Sequence, residues 1–527
     1  MSETEHPLTI PGALDLAENR HPGREAVVDG DVRLTWGQLR NLVRAAAKSL
    51  IALGIRPGDR IAVWAPNSHR WIVAALAATS AGAVLVPVNT RYKGAEARLL
   101  LQRSSARLLF VENGFLGKDY LSMLTTGDEG AAEPQPAALE RVVTLDATTP
   151  AGTLPWEEFL RHGADLPDAE AAARAATVHP DDPSDLLFTS GTTGRPKGAL
   201  TTHRQNLATY WAWSGRTGVT GDDRYLVINP LFHCFGYKAG VLACLLRGAT
   251  MVLQPVFDVD RALRAVEAER ITVLPGPPTI YTELLDAPGR DLFDLSSLRL
   301  AVTGAAVVPV ALVRRMRGEL FPEVLTAYGL TETCGTVTVC SAEDDAETVA
   351  LTAGRPIDGT EVRVADDDRR PLPAGQDGRI LVRGYHVMHG YLDDPEATAA
   401  AVDADGWLDT GDIGHLDARG NLVITGRSKE MFVVGGFNVY PAEIEQVLAG
   451  HDAVAEAAVV GIPDARLGEV GRAYVTLRPG TGTEPDELIG HCRDRLANFK
   501  VPREVVVLGT LPRNATGKVD KTVLRTV

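Results

Sequence analysis

The apolar run Leu186-Leu187-Phe188 leads into ten residues, Thr189 to Gly198, that read T-S-G-T-T-G-R-P-K-G. The run has the character of a buried strand end, and the loop that follows limits what the chain can be more than any other stretch. Its glycines let backbone approach a ligand closely and adopt positive φ. Free backbone N–H groups, the Ser and Thr hydroxyls and Lys197 can then face phosphate oxygens. The loop is not a Walker A motif, because Pro196 stands where the second glycine of G-x-x-x-x-G-K-[ST], counted from Gly191, is required. It reads as a phosphate loop of another kind.

The chain around it is 527 residues long, which predicts two or more domains. It carries 53 Lys and Arg against 68 Asp and Glu, a net charge of −15. That balance argues against broad nucleic-acid binding, which needs a basic face. It also means that positive charge for a phosphate ligand must come from individual lysines, arginines or a bound Mg²⁺. No apolar run approaches the roughly 18–20 residues that span a bilayer. Residues 1–11 are polar and acidic, without the basic start and apolar middle of a secretory signal. The cysteines Cys234, Cys244, Cys334, Cys340 and Cys492 lack metal-ligand spacing, and with no signal an odd number predicts reduced thiols in the cytoplasm.

Helix and strand periodicities alternate through the first half. Residues 39–53 and 71–81 read as helices, and residues 59–64 and 83–88 as strands. This predicts an α/β layered domain. Residues 126–138 read as a surface loop. From 354 to about 425, short β-type runs at 361–364, 378–382 and 422–425 alternate with Gly, Asp and Pro turns, which predicts a small β-rich subdomain. After a basic junction, the last hundred or so residues have their own pattern: helices at 441–448 and 484–496, strands at 453–461 and 473–477. That suffices for a small α+β domain.

Four further segments stand out: Y-G-L-T-E-T at residues 328–333, D-G-W-L-D-T-G-D at 405–412, G-R-S-K-E-M-F-V-V-G-G-F-N-V-Y-P-A-E-I-E at 426–445, and P-R-N-A-T-G-K at 512–518. Taken singly each is an ordinary turn or a solvated charge. Together with the loop at 189–198, in this order, the set resembles the adenylate-forming superfamily of acyl-CoA synthetases, peptide-synthetase adenylation domains and luciferases. The resemblance runs from about residue 10 to the end.

That resemblance implies a fold and a chemistry. The fold is a large α/β core over residues 1–427, a hinge at 428–429 centred on Lys429, and a small mobile α+β domain over 430–527. The chemistry is attack of a carboxylate on the α-phosphate of ATP, with loss of pyrophosphate, then displacement of AMP by the thiol of coenzyme A. Among the residues implied to hold ATP or AMP, Thr189, Ser190, Gly191, Thr192, Thr193, Gly194 and Lys197 belong to the phosphate loop, with Ser190, Thr192, Thr193 and Lys197 on the β- and γ-phosphates. The others are Gly304, Ala305, Ala306, Thr326, Ala327, Tyr328 and Gly329, with Thr331 at the α-phosphate and Asp412 and Arg427 at the ribose. Glu332, with Thr192, is implied to ligate Mg²⁺. Lys518 is implied to bridge the carboxylate and the α-phosphate during adenylation, then to leave as the small domain rotates and brings Gly435 and Gly436 to a coenzyme A tunnel. His233 is implied to gate the passage between acyl pocket and tunnel.

By the same resemblance the acyl pocket is walled by Phe232, His233, Phe235, Tyr237, Thr303, Gly304, Ala305 and Gly329. It lacks an evident charge apart from Lys238 at its margin, so a bulky, largely uncharged acid is expected in place of an amino acid, whose ammonium needs a buried partner. Residues 228–250, 271–281 and 295–310 resemble the actinobacterial acyl-CoA synthetases that activate fused-ring propanoates from steroid degradation. Relatives of those enzymes act on polycyclic terpenoid acids. Two other readings compete: an enzyme that hands its acyl-adenylate to a partner enzyme or carrier protein, and a ligase for medium- or long-chain or aryl acids. A non-catalytic nucleotide binder is disfavoured by intact Lys197, Glu332, Asp412 and Lys518. Dimers are common in the superfamily, which allows a homodimer. Two residues depart from the family pattern: Glu430, where aspartate is common, and Lys521, where arginine is common.

Overall fold

The structure is a computed structural model that describes residues 6–125, 136–146, 150–189, 196–304, 308–427, 430–434, 437–464, 466–496, 498–514 and 517–526. Most of the loop read at 126–138 lies outside them. So do Ser190, Gly191, Thr192, Thr193 and Gly194, along with Ala305, Ala306, Lys429, Gly435 and Gly436.

Among the described residues, a nine-stranded and an eight-stranded sheet make up most of the large domain. The first runs from an antiparallel edge at Arg355–Pro356 and Thr338–Val339 into parallel strands Glu323–Tyr328, Leu300–Gly304, Val273–Pro275, Arg224–Val227 and Thr250–Leu253. The second has Arg60–Trp64, Val84–Pro87 and Ala106–Val111 at its parallel centre. On one side it continues into the antiparallel hairpin Pro183–Thr189 with Lys197–Thr202, and the two-residue strand Gly390–Tyr391 forms the edge.

The helix His69–Ser80 lies between these sheets, and its sequence shows why. It is apolar on all sides, and every residue from Trp71 to Ser80 is buried, as fits a helix covered on each face. One core joins Val27 and Met251 of the first sheet to Val63 and Leu85 of the second. Ser68 begins the helix by accepting the Trp71 N–H at 3.2 Å. The neighbouring helix Trp36–Ala52 starts from a capping box of Thr35 and Gln38.

The β-rich region is a four-stranded antiparallel sheet, Thr360–Ala365, Gly378–Gly384, Leu408–Leu416 and Leu422–Arg427. The C-terminal part forms its own five-stranded sheet, dominated by the long pair Val454–Asp464 and Gly468–Leu477. Helices Pro441–Ala449 and Pro485–Arg493 complete a separate core around Phe432, Ile444, Leu448, Val459 and Leu488. Among the described residues no helix is long and apolar enough to cross a membrane.

Candidate active site

Three strand ends and one loop converge on a single region. Leu300–Gly304 and Glu323–Tyr328 run parallel, with Gly304 beside Ala327 at their C-terminal ends. Ligands of parallel sheets bind at this end. A Cβ on Gly304 would lie 2.5 Å from the Ala327 carbonyl oxygen, so the close approach itself requires glycine. Thr326 is tied down by its hydroxyl, which donates to the Val349 carbonyl at 2.6 Å. Beyond Tyr328 the chain turns through a short 3₁₀ segment, Thr331–Thr333, which presents Thr331 and Glu332 half-buried. Gly329 also serves that turn: a Cβ there would stand 2.3 Å from the Gly335 carbonyl oxygen.

Asp412 and Arg427 face each other across the hairpin of the β-rich sheet. Arg427 Nε lies 3.0 Å from Asp412 Oδ1, and the Tyr328 hydroxyl donates to Asp412 Oδ2 at 2.5 Å. Burial pushes the Asp412 carboxyl above its ordinary value, opposed by the Arg427 charge and the Tyr328 hydrogen bond. The pair is thus buried on the carboxylate side and open on the guanidinium side, with exposures of 5% and 59%.

Lys518 arrives from the small domain. Arg427, Asp412 and Glu430 all lie within its electrostatic reach, and Lys518 in turn acts on His233. The surrounding protein and the Arg427 charge hold its ammonium below the ordinary lysine value, with Asp412 and Glu430 opposing. If Lys518 serves as the adenylation cation, its charged form is the active one and activity falls as pH rises through this lowered value. We expect kcat/KM for ATP, which reports the free enzyme, to fall on an alkaline limb that begins below the ordinary lysine range of about 10.4. Lys518→Arg should remove that limb; a limb unmoved in this variant excludes Lys518 as its source.

His233 caps the short helix Cys234–Gly236 and accepts the Phe235 N–H on Nδ1 at 3.2 Å. Its other nitrogen therefore carries the proton. Burial, then the charges of Lys518 and Lys238, lower its pKa to about 4, so the ring is neutral. Gly236 permits the turn: a Cβ there would stand 2.2 Å from the Pro230 carbonyl oxygen. Phe232 and Phe235 are half-buried, whereas Tyr237 is fully buried against Trp71, with ring centroids 5.6 Å apart. Thr303 is also fully buried. Neither the Tyr237 hydroxyl nor the Thr303 hydroxyl has a hydrogen-bond partner among the described residues.

Lys238 is not a pocket charge. It opens off a π-helical stretch, Tyr237–Leu242, and its Nζ lies 2.9 Å from Asp185 Oδ1 and 3.0 Å from Thr201 Oγ1. Both partners of this ion pair are fully buried. Asp185 further accepts from Thr201 at 2.7 Å, Ser184 at 2.9 Å and the Asn206 amide. The pair ties the helix after His233 to the strands that carry the phosphate loop. The nearby thiols Cys234 and Cys334 are buried and pushed up, Cys334 to about 12, which suits packing and not nucleophilic attack.

At the phosphate loop itself, Thr189 and Lys197 are paired at the hairpin's end. Sequence reasoning missed the residue that links Lys197 to Glu332, namely Tyr391. The Lys197 Nζ stands 4.8 Å from the Tyr391 ring centroid, and the Tyr391 hydroxyl donates to Glu332 Oε1 at 2.9 Å. The two departures, Glu430 and Lys521, prove to be partners: Lys521 Nζ lies 2.7 Å from Glu430 Oε2 and 2.8 Å from Glu445 Oε1.

These features define an adenylate-forming fold, a large α/β domain followed by a small C-terminal one. The chain belongs to the AMP-binding enzyme family and is an AMP-forming acid–thiol ligase that uses ATP and coenzyme A. The family model "AMP-binding enzyme" matches residues 14–392, and "AMP-binding enzyme C-terminal domain" matches 443–518. Among curated relatives, the 3-[(3aS,4S,7aS)-7a-methyl-1,5-dioxo-octahydro-1H-inden-4-yl]propanoyl:CoA ligase of Mycobacterium tuberculosis is 56% identical over 518 residues, 98% of each chain. The enzyme of the same name from Rhodococcus jostii is 53% identical over 524 residues, 99% of each. Among solved structures, an anthranilate CoA ligase in complex with anthranoyl-AMP superimposes with a TM-score of 0.88 at 27% identity, covering 100% of this chain and 98% of its own.

Proposed function

We propose that this enzyme activates a fused-ring propanoate, an oxo-substituted hydrindane acid of the class named for its relatives, and joins it to coenzyme A. What supports the adenylation half is that Lys518 of the small domain lies within electrostatic range of Asp412, Arg427 and His233 of the large one. A carboxylate oxygen attacks the α-phosphorus, the bond to the β-phosphate oxygen breaks, and pyrophosphate leaves. Both reactants are anions, so the site must supply cations where charge develops. Lys518 takes that position between carboxylate and α-phosphate, Thr331 donates to the α-phosphate, and Lys197 with the loop residues Ser190, Thr192 and Thr193 holds the β- and γ-phosphates. Asp412 receives the ribose hydroxyls, exchanging its Tyr328 hydrogen bond for them.

Mg²⁺ fits this site in a limited way. Among the described residues no group of three or more His, Cys, Asp or Glu stands ready to cage a metal. Glu332 is a single half-buried carboxylate, set across the Tyr391 ring from Lys197. That matches a cation held mainly by phosphates and water with one carboxylate, the usual state of Mg²⁺ at nucleotide sites. Held there by Glu332, it would supply positive charge to the leaving pyrophosphate.

For thioester formation, the sulfur of coenzyme A attacks the acyl carbon and AMP leaves with the electron pair. No protein nucleophile is needed, because the adenylate is already activated. The boundary at 428–429 serves as the pivot, with Lys429 at its centre, and Gly435 and Gly436 line the path of the thiol arm. The neutral ring of His233 gates that path without charge, which lets a hydrophobic acyl group sit against it.

The acid rests on the two relatives above half identity and on the pocket's apolar character. Phe232 and Phe235, both half-buried, supply the apolar bulk that fits a fused-ring acid. The test is a comparison of kcat/KM for pyrophosphate release across fused-ring propanoates, aryl acids, linear fatty acids and polycyclic terpenoid acids. We expect the oxo-substituted fused-ring acid to lead. A fatty or aryl acid in first place refutes the assignment.

A further inference from the structure

The segment at residues 387–392 belongs to none of the motifs that carry the family likeness, yet it is stitched to both halves of the phosphate site. Gly390–Tyr391 forms a two-residue strand against Lys197–Thr202, pairing Tyr391 with Ala199. The Leu392 N–H donates to the Gly198 carbonyl and the His389 N–H to the Leu200 carbonyl, each at 2.8 Å. On the other side the Met388 N–H donates to the backbone carbonyl of Glu332 at 2.7 Å. The Tyr391 N–H is itself fixed on Thr398 Oγ1 at 2.9 Å. The backbone of Tyr391 is therefore held from three directions.

Its side chain stands between two opposite charges. The ring face takes the Lys197 ammonium at 4.8 Å from the centroid, and the hydroxyl donates to Glu332 Oε1 at 2.9 Å. Among the described residues Lys197 has no ion-pair partner, although Glu332 lies on the far edge of the same ring. If the two met directly, each would cancel the other. The ammonium would be lost to the phosphates and the carboxylate to the cation. An aromatic ring with a hydroxyl at its edge keeps both charges fixed and apart, because its face attracts a cation and its O–H satisfies an anion.

We propose that Tyr391 is a positioning residue that spaces Lys197 from Glu332, holding the first for the β- and γ-phosphates and the second for the divalent cation. It rests on the reading of the site given under Proposed function. Two variants separate the two contacts: Tyr391→Phe keeps the ring and removes the hydroxyl, and Tyr391→Leu removes both.

The test is equilibrium ATP binding by titration calorimetry, with EDTA and across a Mg²⁺ series, alongside kcat and KM for the acid. For Tyr391→Phe we expect about a tenfold rise in half-saturating Mg²⁺, the size of a lost hydrogen bond to a charged group, with binding in EDTA unchanged. For Tyr391→Leu we expect the same rise plus about fivefold weaker binding in EDTA, the loss of the cation–π contact. KM for the acid should stay at the wild-type value in both. A half-saturating Mg²⁺ that is unchanged or lowered in Tyr391→Phe overturns the proposal, as does an equal loss in metal dependence, EDTA binding and acid KM. If the wild-type protein itself binds ATP with no Mg²⁺ dependence, the underlying reading of Glu332 falls as well. A normal wild type with an unaffected Tyr391→Phe removes this inference alone.

Discussion

Lys518→Ala is expected to lower acid-dependent ATP–pyrophosphate exchange by about 10²–10³, the usual size of losing one preorganised transition-state donor. The same variant, given synthetic acyl-adenylate and coenzyme A, should form thioester at nearly the wild-type rate. The physical reason is that Lys518 is a cation placed for a step in which two anions meet. The second step starts from a neutral carbonyl attacked by sulfur, with AMP as leaving group, so two anions need not be brought together. Lys429→Pro should give the opposite pattern, because stiffening a pivot leaves the resting orientation intact and blocks the turn. In that variant exchange persists and thioester formation stops. Equal loss of both half-reactions in Lys518→Ala, or unchanged overall turnover in Lys429→Pro, contradicts the division of labour.

The second large effect is on stability. Lys238→Met leaves Asp185 charged, fully buried and without its counter-ion. Removing one partner of a buried pair typically costs about 3–5 kcal/mol. For a domain of this size that corresponds to roughly 3–6 °C in the midpoint of the first unfolding transition. Converting Asp185 to Asn in the same chain should recover more than half of the loss, because a neutral amide needs no counter-ion and can keep hydrogen bonds to Ser184 and Thr201. Differential scanning calorimetry on the single and double variants decides this. A single variant within about 1 °C of wild type shows that water or rearrangement relieves Asp185, and removes the pair as a structural tie beneath the phosphate loop.

Much of the fold is legible in the sequence because local chemistry and tertiary packing agree. The helix read at 71–81 forms over His69–Ser80, and its start moves back two residues because Ser68 caps it. The strand read at 473–477 is the second half of Gly468–Leu477. Its first half is masked by Gly468 and Gly471, which read as turn residues. The glycines have another purpose: Gly471 pairs with Gly461 across the sheet, and Phe432 packs over both, 2.4 Å from where a Cβ of Gly461 would lie. The helix read at 484–496 closes at Arg493, although backbone hydrogen bonds to Cys492 continue to Leu496.

The site is less evenly legible. Asp412, Arg427, Lys518 and Glu332 sit in glycine-containing motifs whose order points to them. Tyr391 sits in His389-Gly390-Tyr391, where no spacing or composition marks it, since its importance comes from two partners 194 and 59 positions away. Lys238 shows the reverse failure. Its charge in an apolar stretch reads as a pocket feature, whereas Asp185, reached only through the fold, neutralises it. Glu430 and Lys521 read as two separate departures and are one interaction, which joins the segment beside the hinge to the chain just after Lys518.

One incubation tests the central claim most directly: purified enzyme with ATP, Mg²⁺, coenzyme A and the oxo-substituted fused-ring propanoate, products quantified by mass spectrometry. The account requires acyl-CoA and AMP in equal amounts, with no ADP, and neither product when the acid is omitted. AMP and pyrophosphate without thioester would contradict it, since the enzyme would then be one that hands its adenylate to another acceptor.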